Sequence, residues 1–162
     1  MGQHFAGWAR LRVTGEQGTE VTLRHAGVLH EDGTLDTRNN WDALATDTYI
    51  ARGDGEETWE PRFTFHGYRY VEVTGYPCVP TLDDIDGRMV RTAVKMSGDF
   101  ECSNELINRI HGNIQRTFAS SYQGLPQDAA ERNERHGWLG DPGFVAEDYM
   151  LNFDDASFWS KW

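Results

Sequence analysis

The stretch "SNELINRIHGNIQRTF", Ser103–Phe118, decides the fold class, because the spacing of its apolar residues differs from everything before it. Leu106, Ile110, Ile114 and Phe118 follow one another at intervals of four, which places them on one face of an α-helix. Ser103 is the expected N-cap, and Glu105 falls in the first turn, where a negative charge suits the helix dipole. The helix is expected to end near Ser120, before Gly124 and Pro126 in "SSYQGLPQ" break it.

Upstream the period is two. In "ARLRVTGEQGTEVTLRHA", Leu11 and Val13 alternate with polar neighbours, Gly15–Gly18 supply a turn, and Val21 and Leu23 resume the alternation, which predicts a hairpin. "DTYIARGDGEETWEPRFTF" repeats the theme around Gly53–Asp54–Gly55. "YRYVEVTG" reads as a strand with Tyr68, Tyr70 and Glu72 on one face, and "GRMVRTAVKM" as another strand. Leu29–Thr46 is polar and weakly patterned, and reads as a long loop. Strands in series without intervening helices predict an antiparallel β-sandwich. The expected class is mixed α and β, with a β-sandwich over 1–97 and helices over 98–162.

Downstream, Asp141–Pro142 predicts a second helix, with Asp141 as N-cap and proline at the first helical position. It carries Phe144, Val145 and Tyr149, and a third helix is expected near Asp155. "QDAAERNERHGWLGD", Gln127–Asp141, therefore connects two helices, and such connections often carry function. Asp128, Glu134 and Asp141 are spaced six and seven apart, with Arg132 and Trp138 among them. Glycoside hydrolysis needs one protonated and one ionised carboxyl group around an oxocarbenium-like transition state. A second carboxylate and an apolar ring beside Glu134 would favour its protonated form, and Trp138 could supply that ring or pack on a sugar. Arg132 could donate a fork of hydrogen bonds to vicinal hydroxyls. The same residues also admit a structural reading. Asp128 and Glu131 fit the capping box of a short helix, Asp141 is a good N-cap in its own right, and the arginines could pair with neighbouring acids.

Composition narrows the chemistry further. The 162 residues carry a formal net charge of -11, with 38% hydrophobic and 12% aromatic residues. That is enough to bury a core, and the acidic surface disfavours a nucleic-acid partner while admitting an uncharged sugar. Apolar runs are too short for a membrane-spanning helix. The six histidines show no HxxH or HExxH spacing, so neither metal nor other cofactor is expected. Spacing leaves open whether Cys78 and Cys102 pair. The ending "FDDASFWSKW" stops inside an amphipathic pattern, and the expectation is a chain truncated at its C-terminus; "FAGWARLRV" enters a strand pattern almost at once, which raises the same expectation for the start.

Six segments together resemble bacterial α-L-rhamnosidases of glycoside hydrolase family 78: "FAGWARLRV", "TLRHAGVL", "DGTLDT", "ATDTYIARGDGEETWEPRFTFHGYRYVEVTGYP", "FECSNELINRIHGNI" and "PQDAAERNERHGWLGD". The resemblance covers nearly the whole chain. It implies an accessory β-sandwich followed by the start of an (α/α)6 barrel, and inverting, metal-independent release of terminal α-L-rhamnose from a rhamnoside or polysaccharide. Carried over by position, Glu134 resembles the general acid, and Asp128, Arg132, Trp138 and Asp141 resemble sugar-contacting residues. Ala129, Ala130, Asn133 and Pro142–Gly143 depart from the common pattern without removing a proposed catalytic group. In the family the general base is a glutamate late in the barrel. Glu147, the only glutamate after Glu134, sits in the next helix and is a poor substitute, so the chain alone is expected not to turn over. The rival reading is a non-catalytic sugar-binding sandwich using Trp59, Tyr68 or Tyr70 as a platform, although these aromatics fit core packing better.

Overall fold

The computed structural model describes all 162 residues, Met1–Trp162. The chain divides into two compact units. One holds Met1–Val90 with Glu131–Asn133, the other Arg91–Ala130 with Glu134–Trp162.

The first unit contains β1 (Phe5–Thr14), β2 (Glu20–Ala26), β3 (Val28–Leu29), β4 (Leu35–Asp36), β5 (Thr46–Ile50), β6 (Glu56–Trp59), β7 (His66–Tyr68), β8 (Tyr70–Thr74) and β9 (Ile85–Met89). All its pairings are antiparallel. β1 pairs with β6, β7 and β9, whereas β2 lies between β5 and β8 in a separate sheet. The two sheets share one core: Ala9, Leu11 and Val13 of β1 cluster with Val21 and Leu23 of β2, and Tyr49, Trp59, Val71, Val73, Tyr76 and Ile85 pack around them. Each large apolar side chain sealed there contributes roughly 1.5–3 kcal/mol.

The expected hairpins are absent. Gly15–Gly18 joins strands of different sheets, and so does Gly53–Gly55, between β5 and β6. Alternation fixes which face of a strand is buried but not which strand lies beside it, so an arch and a hairpin share one pattern. The arches are stitched to each other: the Gly18 N–H donates to the Ala51 carbonyl (2.9 Å) and the Ala51 N–H to that of Thr19 (2.8 Å). Gly53 has φ 85°, and a Cβ there would stand 2.7 Å from the Gln17 nitrogen, so a side chain is excluded. Glu57 is buried behind this corner, accepting from the Arg52 and Gly53 backbone N–H groups and the Tyr49 hydroxyl. The Tyr49 hydroxyl bond, reinforced by the backbone donors, holds its carboxyl down at about 2.

Two other strands are divided. "YRYVEVTG" changes sheet at Arg69, leaving Tyr68 on β7 and Tyr70 on β8, and "GRMVRTAVKM" breaks after Met89. The stretch read as a long loop contains the β3–β4 pair and a 3-10 turn at Arg38–Asn40.

The second unit contains β10 (Lys95–Met96), α1 (Glu105–Ser121), α2 (Gly140–Asn152), β11 (Phe153–Asp154) and α3 (Ala156–Lys161). β10, which the sequence groups with the preceding strands, pairs with β11 here. The core gathers Val94, Phe118, Ala119, Tyr122, Tyr149, Phe153 and Phe158. Phe118 stacks on Tyr149 at 3.8 Å, and Tyr122 meets Tyr149, Phe153 and Phe158 edge-on. Buried Asp155 accepts from the Tyr122 hydroxyl and from Trp159 Nε1 (2.8 Å).

Two cap assignments change. Asn104, not Ser103, caps α1, its Oδ1 accepting from the Leu106 N–H at 3.0 Å. α2 begins at Gly140, after Leu139, so Asp141 lies within the first turn and is not the N-cap. Its first backbone bond runs from the Gly143 N–H to the Leu139 carbonyl. Pro142, without an N–H, therefore falls among residues that need no intrahelical partner. Cys78 and Cys102 are both free, and no helix is long and apolar enough to cross a membrane.

Candidate functional site

The connection between α1 and α2 is an ordered loop without helix. The Gln127 N–H donates to the Ser121 carbonyl (3.0 Å), anchoring its start to the last turn of α1. Asp128 closes the loop on itself. Its N–H donates to the His136 carbonyl (3.3 Å), and its Oδ1 accepts from the His136 N–H (2.9 Å). The capping-box alternative for Asp128 and Glu131 fails, since no helix follows Asp128 and its carboxylate is bonded across the loop.

Glu134 lies within the span that Asp128 closes, and its side chain is half-buried. Trp138 Nε1–H donates to Glu134 Oε1 at 3.0 Å. The sequence offers Trp138 as an apolar wall beside Glu134; the contact is instead made by the indole N–H. The Trp138 ring also meets His136 edge-on at 5.3 Å, and Trp138 remains 48% exposed. Arg135, next to Glu134, has φ 46°, the left-handed region that a non-glycine residue enters only when its surroundings hold it there.

Arg132 belongs with the first unit, where its guanidinium lies 4.5 Å from the Trp41 ring centre. Such stacking favours a cation over an indole face and orients the fork. Asp141 is exposed in the first turn of α2. The structure thus joins Asp128 to the loop closure, Glu134 to Trp138, and Arg132 to Trp41. Trp41 escapes the sequence reading because it lies in the stretch read as loop; a tryptophan isolated in a polar run was the available signal.

Of the aromatics considered as a sugar platform, Tyr68 is wholly buried, and Trp59 packs on the sandwich core and stacks on Tyr49 at 5.2 Å. Tyr68 therefore presents no ring face to solvent, while Trp59 and Tyr70 are partly buried. Metal-ligating side chains converge in the β unit, at His25, Asp47 and His66, rather than in this loop.

Comparison with known proteins assigns both units. The bacterial alpha-L-rhamnosidase concanavalin-like domain matches residues 1–91, and the bacterial alpha-L-rhamnosidase 6 hairpin glycosidase domain matches residues 95–162. An alpha-L-rhamnosidase of Streptomyces avermitilis is 45% identical over the whole chain, which spans 16% of that relative. The crystal structure of Streptomyces avermitilis alpha-L-rhamnosidase complexed with L-rhamnose superposes with TM-score 0.97 over 99% of this chain and 16% of that one. The alpha-L-rhamnosidase structure from Dictyoglumus thermophilum superposes at 0.96, with 52% identity over 98% of this chain and 18% of its own. The chain belongs to the bacterial α-L-rhamnosidases, corresponding to their concanavalin-like domain and the beginning of their six-hairpin glycosidase domain.

Proposed function

We propose that the loop Gln127–Asp141 carries the acid half of an inverting α-L-rhamnosidase site, which acts on terminal α-L-rhamnosyl groups when completed by further chain. Glu134 is the general acid. The observation that supports this most is the Trp138 bond: an indole N–H donating to Oε1 orients the carboxyl group within the loop. The proton passes to the glycosidic oxygen as the bond to the anomeric carbon breaks, and the leaving group departs as a neutral alcohol. Water attacks from the opposite face, activated by a second carboxylate roughly 6.5–9.5 Å from the first. The resemblance puts that base in a later part of the barrel, outside residues 1–162. Asp128, by closing the loop, holds the backbone that presents Glu134. Arg132, oriented on Trp41, offers its fork to sugar hydroxyls, and Trp138 and Asp141 contribute further sugar contacts.

The test is a leaving-group series on a full-length enzyme carrying this sequence. Glu134→Gln preserves size but cannot donate the proton. With an alkyl or sugar leaving group the rate should fall by about 10²–10⁴, and with an activated nitrophenolate much less. An equal loss along the whole series would show that Glu134 only positions the substrate.

A further inference from the structure

The β unit holds a second cluster of chemically active side chains, away from the rhamnosidase loop in sequence and in role. His25 stands on β2 and Asp47 on β5, in one sheet, and His66 on β7, in the other. Their side chains are 0%, 9% and 8% exposed. One ligating atom of each lies within 4.8 Å of the other two.

The hydrogen bonds leave one electron pair unmatched. His25 Nδ1 lies 3.1 Å from the Ala45 carbonyl oxygen and can bond there only as N–H, so in the neutral ring the lone pair is on Nε2. His25 Nε2 is fully buried and has no hydrogen-bond partner. Asp47 Oδ2, 3.9 Å away, is itself an acceptor. His66 Nε2 approaches the same Oδ2 at 3.0 Å. The Tyr68 hydroxyl and Asn40 Oδ1 are also buried without partners; the Tyr68 ring meets His25 edge-on at 4.7 Å, and Asn40 Nδ2 donates to the His25 carbonyl. Buried orphans of this kind call for a group that accepts or bridges them.

A proton on His25 Nε2 would create a charged ring 4.4 Å from the centre of the His66 ring, in a site shielded from water. A divalent cation meets the need differently. It accepts the His25 lone pair, takes the negative charge of Asp47, and binds His66 through Nε2 in the tautomer that carries its proton on Nδ1. Two imidazole nitrogens and one carboxylate oxygen form a donor set suited to zinc and its neighbours. The Ala45 carbonyl on the far nitrogen of His25 is the outer support usual for a metal-bound imidazole.

We propose that His25 Nε2, Asp47 Oδ2 and His66 Nε2 form a structural site for a zinc-class divalent cation that pins the two β-sheets together. The two imidazole planes are only 26° apart. Both lone pairs can point at one ion about 2.0–2.1 Å away only if one ring turns out of the stack. Binding therefore unstacks His25 from His66, and acid opposes it, since both rings must surrender Nε2 to the metal.

Co²⁺ is the probe, added to chelator-stripped chain 1–162 whose folded state is first verified by dispersed NMR amide signals. The expected result is one Co²⁺ per chain, with visible bands of a low-coordinate nitrogen and oxygen site, displaced by Zn²⁺. His25→Phe and Asp47→Asn should each weaken binding by more than about 100-fold, beyond the usual loss on removing only an outer-shell partner. Should a variant fail to fold, the wild-type ring signals decide: Zn²⁺ must shift His25 and His66 and leave exposed His30 in place. A folded wild type that takes up no Co²⁺ at millimolar concentration would overturn the site and leave an internal water bridging the orphans. Binding that survives both substitutions, or that moves only exposed histidines, would overturn it equally.

Discussion

The two units handle their apolar residues differently. In the β unit, Leu11, Val13, Val21 and Leu23 are at most 1% exposed, each covered by a strand of the opposite sheet or a neighbouring aromatic. In the helical unit, only the end of the α1 stripe is covered. Phe118 is 8% exposed, but Leu106, Ile110 and Ile114 remain 63%, 49% and 41% exposed. The same kind of periodic pattern is fully consumed in one case and left open in the other. A pattern declares which face wants burial; whether it is buried depends on a partner, and a sandwich carries its partner within itself while a helical hairpin array takes its partner from the next helices.

The strongest attempt to break this contrast is a pair of truncations. Leu11→Ala should cost about 2–5 kcal/mol, as a cavity in a closed core does, whereas Ile110→Ala should stay within about 0.5 kcal/mol. Urea unfolding of chain 1–162 measures both. Equal losses would mean that the α1 stripe is packed after all. Next in size is the cap. Asn104→Ala should destabilise α1 by about 1 kcal/mol, while Ser103→Ala should hardly register; amide exchange in the first turn of α1 reads the difference, and the reverse order would return the cap to Ser103. A third prediction sharpens the contrast through pH, with the slope confined to the acid range. Glu57 in the folded β unit titrates at about 2, below its ordinary value near 4.5. A depressed carboxyl contributes stability that is complete above the unfolded value and is lost as pH falls through the folded one. Between about pH 4.5 and 2 the β unit should lose stability, and Glu57→Gln should flatten that part of the profile without changing the response of α1.

Much of this was legible in the residues. The switch of period at Ser103 locates the change from strands to helix, and the helix ends within a residue of Ser120. Asp155 precedes the third helix as expected. What the residues withheld was adjacency. Leu11, Val13, Val21 and Leu23 advertise buried faces, yet nothing local says that β1 and β2 lie in different sheets. The break at Arg69 was hidden for the same reason, since alternation continues through it. In the site loop, the Trp138–Glu134 pair was foreseeable as a four-residue neighbour, but its use of N–H rather than ring face was not. Trp41 and the His25–Asp47–His66 group depend on side chains far apart in sequence, and no local motif could announce them.

The arches at Gly15–Gly18 and Gly53–Gly55 also govern time. With no hairpin partner next to it, β1 must wait for residues as distant as Trp59, Tyr68 and Met89, with which Leu11, Phe5 and Gly7 pair. Folding dominated by such distant closures is slow, because loop entropy is spent before any contact returns it. On a ribosome adding about 5–20 residues per second, this strand is complete seconds before its last partner has been made. One of its edges is open throughout that interval, which makes the nascent chain, rather than the finished sandwich, the state most exposed to mispairing.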